Sequence, residues 1–264
     1  MKDLLISALR VSGEILLKYF NNPLEIKQKE SQSSIVTEAD IASEKKIIEM
    51  IFEKYPGHNI ISEECGFINH KSDYTWIIDP LDGTSNFASG IPWFGVLITL
   101  FKHNKPVMAG AYLPVEDMLY FAESEKGVIR NGIPLKPIEN KELKDSLFAF
   151  CVDYTDDTEF LNSGLEIYKF IVKGSRNIRS TNCLIDFLFV AEGKFGGLLN
   201  LFTKVWDISG LGLIISEAGG KMKNINGKNV KFSINEKLSG ENFPVIAGTV
   251  KIIESMQKVL INKS

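Results

Sequence analysis

A mixed α+β / α/β fold is predicted by three observations. Two stretches near the start carry apolar residues at helical spacing. The run from 94 to 123 alternates apolar strands with tight turns. Beyond residue 147, strands and helices interleave.

Taken in order, residues 2–20 place Leu5, Ala8, Leu9, Gly13, Leu16 and Phe20 on one helix face. Ile41, Ile48, Ile51, Phe52 and Tyr55 repeat the pattern over 38–55, which closes at Pro56-Gly57. Residues 59–62 and 74–79 read as strands. Pro80 has no N–H to donate, so the second strand is expected to stop at Asp79. Strands at 94–102, 107–113 and 118–123 follow. Turns at Asn104-Lys105 and Asn131-Gly132 make this region antiparallel. The second half reads as a strand at 147–152, a helix at 158–172, a strand at 176–180, and a helix at 182–192 stopped by Gly193. A strand at 197–200 precedes a long apolar helix over 206–218, which Gly219-Gly220 ends in a left-handed stop. A strand at 243–248 and a helix at 250–262 finish the chain. The segment 132–145, with Pro134 and Pro137, is the best internal boundary. It lacks the low complexity of a flexible linker, so the two halves are expected to share an interface.

The chain has 264 residues, enough for one large domain or two coupled halves. Apolar residues make up 44% and charged residues 24%, which places it among ordinary globular proteins. A net charge of −3 gives no general reason to expect a nucleic-acid partner. Cys65, Cys151 and Cys183 stand far apart with no CxxC or Cys/His cluster. That argues against a zinc ribbon or a disulfide framework and fits a reducing cytoplasm. The first residues hold Asp3 and Arg10 around too short an apolar run for a signal peptide. No stretch approaches the roughly 18 apolar residues of a membrane span. A cytoplasmic location without a membrane partner is expected.

Chemistry concentrates at Trp76-Ile77-Ile78-Asp79-Pro80-Leu81-Asp82-Gly83-Thr84-Ser85-Asn86-Phe87. An apolar run delivers two carboxylates at a strand end, and Gly83 lets the backbone wrap a ligand. Asp-Pro and Asp-Gly are also common turn pairs. Three further acids fall at element ends. Asp40 follows Thr37 by three residues, as in a capping box. Glu63 follows the strand Ile60-Ile61, where a glutamate is ordinarily solvated. Asp207 heads a helix, where an acid offsets the dipole. Together these acids suit Mg²⁺, which takes oxygen ligands from a few carboxylates plus substrate phosphate. Asp79, Asp82 and the Leu81 carbonyl can serve adjacent metals. The Gly83 and Thr84 N–H groups, if they open a helix, can cradle a phosphate, and the Thr84 hydroxyl can orient a water.

Val36-Thr37-Glu38-Ala39-Asp40, Ser62-Glu63-Glu64, the Asp79–Phe87 block and Trp206-Asp207 stand in the order and approximate spacing of the inositol monophosphatase family, which the chain resembles along its whole length. The resemblance implies a layered αβαβα sandwich, forming one catalytic unit over 1–264. Its subdomains would be 1–135, with the metal site, and 136–264, on the substrate side. It implies that Glu63, Asp79 and the Leu81 carbonyl hold one metal, and that Asp79, Asp82 and Asp207 hold a second. Asp40 and Thr84 would hold the nucleophilic water with Glu63 assisting, and the phosphate would sit on Gly83 and Thr84. Lys29 matches a family lysine near the site, while Glu64 is a neighbour of it. The implied cofactor is Mg²⁺, two or three ions per site, with Mn²⁺ as a substitute and Li⁺ as an inhibitor. The implied assembly is a homodimer, and the substrate a small phosphorylated polyol or sugar.

Departures from the family pattern fall on the alcohol side. Asn200 stands where inositol-specific members carry a glutamate that bonds ring hydroxyls. Thr181-Asn182-Cys183 replaces a small Gly-Ser/Thr-Ala patch, and Ser34 replaces an aspartate. Hydrolysis of a phosphomonoester is therefore a firmer expectation than myo-inositol 1-phosphate as substrate. The same chemistry in relatives serves fructose 1,6-bisphosphate, 3′-phosphoadenosine 5′-phosphate and histidinol phosphate. Ser85-Asn86-Phe87, in place of Lys-Glu-Phe, favours the sugar and inositol branch over the nucleotidases. Gly90-Ile91-Pro92-Trp93-Phe94 resembles a loop of dual-activity archaeal enzymes. Some bacterial relatives also regulate by binding the transcription machinery and RNA.

Overall fold

The computed structural model describes residues 1–20, 22, 26–28 and 35–261, so Lys29 and Ser34 lie outside the described residues. Helix α1 (Lys2–Tyr19) buries Leu5, Leu9 and Leu16. A short antiparallel pair follows, β1 (Ile26–Gln28) and β2 (Ile35–Thr37). Helix α2 (Glu38–Lys54) then packs along α1.

Strands β3 (Asn59–Ser62), β4 (Gly66–Ile68) and β5 (Tyr74–Asp82) begin the larger sheet, and a five-residue helix α3 (Thr84–Ala88) follows β5. Strands β6 (Gly95–Lys102), β7 (Lys105–Leu113), β8 (Met118–Glu123), β9 (Val128–Arg130) and β10 (Ile133–Pro134) complete it in the order β10-β9-β8-β7-β6-β5-β3-β4. Neighbours are antiparallel except β3 and β5, which run parallel. Strand β5 does not stop at Asp79 as expected. It pairs Asp79 with Leu97 and then Asp82 with Gly95, so Pro80 and Leu81 occupy a bulge. In a bulge the missing proline N–H costs no ladder bond.

The second half supplies β11 (Leu147–Cys151), α4 (Thr158–Gly174), β12 (Asn177–Arg179), α5 (Leu184–Ala191), β13 (Phe195–Asn200), α6 (Val205–Glu217), β14 (Lys221–Asn224), β15 (Val245–Gly248) and α7 (Val250–Ile261). Its sheet has the order β12-β11-β13-β15-β14, with β11 parallel to both neighbours and β15 antiparallel to both of its own. The helix expected from residue 182 begins at Leu184, because Asn182 takes a left-handed φ of 53°. Gly219, at φ 89°, makes the expected left-handed stop after α6.

Strand alternation sorts the core into layers. Ile60, Trp76, Ile78, Val96 and Ile98 face α1 and α2, whereas Ile61, Ile77 and Leu97 face α5 and α6. In the second sheet Ala149, Leu198 and Ala247 join α5 and α6, while Phe148, Leu199 and Ile246 pack with α4 and α7. The result is helices, sheet, helices, sheet, helices: a layered αβαβα fold. Helix α6 is apolar on nearly all sides because it lies between the two sheets.

The approach of α6 to the larger sheet is set by Gly210, where a Cβ would lie 2.3 Å from Thr99 Oγ1 and 3.4 Å from the Ala109 Cβ. Thr99 is buried and β-branched, so it has little room to yield. Gly210 lies one turn after Asp207, and this contact therefore governs where Asp207 sits. Gly210→Val is expected to cost about 1–3 kcal/mol in urea unfolding and to weaken divalent-metal binding as well. An unchanged unfolding midpoint would show that the layer spacing does not depend on this glycine.

Candidate active site

The bulge in β5 turns Asp79 and Asp82 toward the same space, and the first turn of α6 brings Asp207 to meet them. One carboxylate oxygen from each lies within 4.8 Å of the others. Backbone amides fix all three. The Leu81 N–H donates to Asp79 Oδ1 at 3.1 Å, the Leu184 N–H to Asp82 Oδ1 at 2.6 Å, and the Lys204 N–H to Asp207 Oδ2 at 2.6 Å. The Asp82 bond starts α5, so it also ties β5 to the second half of the chain. Glu63, Leu81, Gly83, Thr84, Cys183, Asn200 and Asp207 line one cleft of about 680 Å³ together with Asp79 and Asp82.

Gly83 has φ 84°, and a Cβ on it would lie 2.7 Å from the Trp93 carbonyl oxygen and 3.2 Å from the Cys183 Cβ. Only glycine can make this turn against those neighbours. Thr84 follows, its hydroxyl 2.9 Å from the Leu81 carbonyl oxygen and 3.3 Å from Asp40 Oδ1. Asp40 is fully buried behind Thr84 and does not line the cleft. It closes the expected capping box of α2: its Oδ2 accepts from the Thr37 N–H at 2.8 Å and the Thr37 hydroxyl at 2.6 Å. One carboxylate therefore caps a helix with one oxygen and positions Thr84 with the other.

Burial, and after it the neighbouring acids, raises the carboxyl pKa values. Burial, then Glu63, Asp82 and Asp207, pushes Asp79 well above the usual carboxylate range. Burial likewise raises Asp82, against the pull of the Leu184 N–H, with Glu63, Asp186 and Asp153 adding to the rise. Asp207 is pushed well up by burial and then by Asp82, against the Lys204 N–H. Among the described residues, no lysine or arginine forms an ion pair with Asp79, Asp82 or Asp207. Hard anionic oxygens with no paired cation among the described residues fit a divalent cation of the Mg²⁺ kind.

The inositol monophosphatase family model matches residues 1–261. The chain belongs to the inositol monophosphatase family. It is 34% identical over 213 residues to the fructose-1,6-bisphosphatase/inositol-1-monophosphatase of Aquifex aeolicus, covering 79% of each chain. It is 33% identical over 224 residues to the Nus factor SuhB of Haemophilus influenzae, covering 83% of each. The solved structure of a Thermotoga maritima IMPase superposes with a TM-score of 0.85 at 26% identity, covering 98% of this chain and 96% of that one.

Sequence reasoning missed the residues that hold the site from behind. The Ser43 hydroxyl donates to the Pro80 carbonyl at 2.8 Å, bracing the bulge. Glu44 accepts from the Ser62 hydroxyl and from the Glu64 and Cys65 N–H groups at 3.0 and 3.1 Å, shaping the loop that carries Glu63. Both lie three and four residues after Asp40, on the same face of α2. That spacing was the available signal. Asn86 Nδ2 donates to the Trp93 and Thr181 carbonyls at 2.9 and 3.1 Å, linking α3 to the second half.

The raised carboxyl pKa values have a definite pH consequence. A carboxyl whose pKa is higher in the folded than in the unfolded chain lends stability at low pH and loses it as pH rises through the folded value. A cation that binds the ionised acids restores it. Mg²⁺ is therefore expected to raise the melting temperature more at pH 8 than at pH 6, with protons released on binding at pH 6. Equal Mg²⁺-induced shifts at both pH values would contradict the shared-charge account.

Proposed function

We propose that this chain is a Mg²⁺-dependent phosphomonoesterase of the inositol-phosphate phosphatase type, acting on small phosphorylated polyols or sugars in the cytoplasm. The observation that carries the reading is the set Asp79, Asp82 and Asp207 within 4.8 Å of one another, beside the Gly83-Thr84 turn. Those acids, with Glu63 and the Leu81 carbonyl, would hold the metal. When bound, Mg²⁺ neutralises phosphoryl oxygens and acidifies water. The chain's own part is positional. Thr84, oriented by the buried Asp40 and the Leu81 carbonyl, offers its hydroxyl oxygen to the attacking water, and Glu63 takes the proton. The Gly83 and Thr84 N–H groups receive the phosphate. Cys183 and Asn200 face the alcohol that leaves. On this reading 1–135 carries the metal side and 136–264 the substrate side of one catalytic unit.

With Mg²⁺, phosphate release is expected from at least one of myo-inositol 1-phosphate, fructose 1,6-bisphosphate, 3′-phosphoadenosine 5′-phosphate and histidinol phosphate, and lithium should suppress it. Asp79→Asn and Asp207→Asn should lower turnover by about 100-fold or more while leaving the protein folded. Folded, metal-loaded protein that releases phosphate from none of these would sink the reading. A regulatory role is the second reading, favoured by the similarity to a protein called a Nus factor. It predicts that Asp82→Asn abolishes hydrolysis and leaves the cellular phenotype intact.

We also propose a homodimer. Leu161, Leu165, Tyr168 and Val172 are exposed at 37%, 46%, 37% and 50% along one face of α4. A two-fold axis between Leu165 and Tyr168 would set Leu161 against Val172 of a second copy and bring Glu159 near its Lys173. Leu165→Glu is expected to halve the mass measured by light scattering without loss of fold. A wild-type monomer would refute the dimer.

A further inference from the structure

Ser12 in α1 and Ser43 in α2 are both fully buried, and their hydroxyl oxygens lie 2.5 Å apart. A serine inside a helix often turns its hydroxyl onto the carbonyl four residues earlier. These two bond across the helix pair instead. A hydroxyl has one proton to give, and that of Ser43 goes to the Pro80 carbonyl at 2.8 Å. Ser12 is therefore the donor to Ser43, and the bonds run in one direction from α1 to the bulge of β5.

The bulge explains why a donor is needed there. Strand β5 pairs with β6 at Asp79 and next at Asp82, so the peptide between Pro80 and Leu81 lies outside that ladder. Its carbonyl and N–H must find partners elsewhere. The carbonyl takes the Ser43 hydroxyl, and the N–H donates to Asp79 Oδ1 at 3.1 Å. No cis peptide occurs among the described residues, and the C=O and N–H of a trans peptide point in opposite directions. Fixing the carbonyl on the α2 side therefore aims the N–H away from it, at the Asp79 carboxylate. In a low-dielectric interior each bond of such a chain also polarises the next.

Packing alone does not call for these hydroxyls. Replacing both members of a buried hydrogen-bonded pair by apolar groups of the same shape is nearly neutral, and alanine suits a helix interior better than serine. What a pair of alanines would not supply is a donor for the Pro80 carbonyl.

We infer that Ser12 is a positioning residue for the metal site: through Ser43 and the peptide between Pro80 and Leu81 it orients the Asp79 carboxylate. It does so from α1, which supplies none of the described cleft lining. This rests on the metal reading given above, since Ser12 would act on the ion only through Asp79.

The test is calorimetric titration of Mg²⁺ into the full-length wild type, Ser12→Ala, Ser43→Ala and the double variant, with urea unfolding of each in the absence of metal. Losing one hydrogen bond of the chain corresponds to about 2–10-fold in affinity. Ser12→Ala should weaken Mg²⁺ binding by about that factor, and Ser43→Ala by at least as much. The double variant should bind as weakly as Ser43→Ala and no weaker, because Ser12 acts only through Ser43. Ile51→Val, which removes a buried methyl from α2 away from the chain, should lower the urea midpoint and leave Mg²⁺ affinity unchanged. Should Ser43→Ala not fold, Ser12→Ala against Ile51→Val decides the matter. Wild-type affinity in Ser12→Ala, losses from the two serines that simply add, or an equal loss in Ile51→Val would overturn the positioning role and leave the metal site standing. A wild type that binds no Mg²⁺ would remove both.

Discussion

Three carboxylates meet at the bulged end of one strand, and much of the surrounding structure holds them there against their own repulsion. Asp79, Asp82 and Asp207 each receive a backbone N–H, the strongest anchor available that carries no net charge. Those bonds pull the carboxyl pKa values down, but burial and the neighbouring acids push them further up. The balance leaves a site whose ionised form is incomplete without a cation. Such stored electrostatic cost is common where a fold keeps a ligand site preformed.

The scaffold meets that demand with two rigid helices. One face of α2 presents Asp40, Ser43 and Glu44, which reach Thr84, the Pro80 carbonyl and the loop after β3. A single helical surface thus sets the relative positions of the Thr84 hydroxyl, the bulge and Glu63. From the other side, α6 comes close enough through Gly210 to carry Asp207 into the cleft. Because each helix lies against a sheet within the layered stack, movement of either would disturb packing as well as the site.

Much of this could be read in the chain. Long periodic segments such as 2–20 and 38–55 match α1 and α2 closely, because burying one face leaves a strong repeat. Strands β1, β2, β4, β9, β10 and β14 went unread, being two to four residues long and defined by the partner they pair with. Pro80 was misleading for a physical reason. Proline forbids a ladder bond but not a bulge, and no local pattern distinguishes a strand's end from its bulge. Ser43 and Glu44 stand three and four positions after Asp40, which marks a shared helix face but not the segments that face reaches.

By itself, the sequence determined the mixed fold class, the family resemblance and the identity of the acids, because residue type, order and periodicity are properties of the chain. Tertiary structure decided how those acids are shared out. It placed Asp40 behind Thr84 instead of in the cleft, and it gathered one carboxylate oxygen from each of Asp79, Asp82 and Asp207 within 4.8 Å of the others. Distances between residues 79 and 207 depend on how closely layers pack, and that depends on side-chain volumes at contacts such as Gly210 against Thr99. No linear pattern encodes such a contact, so the chemistry of the acids was legible and their geometry was not.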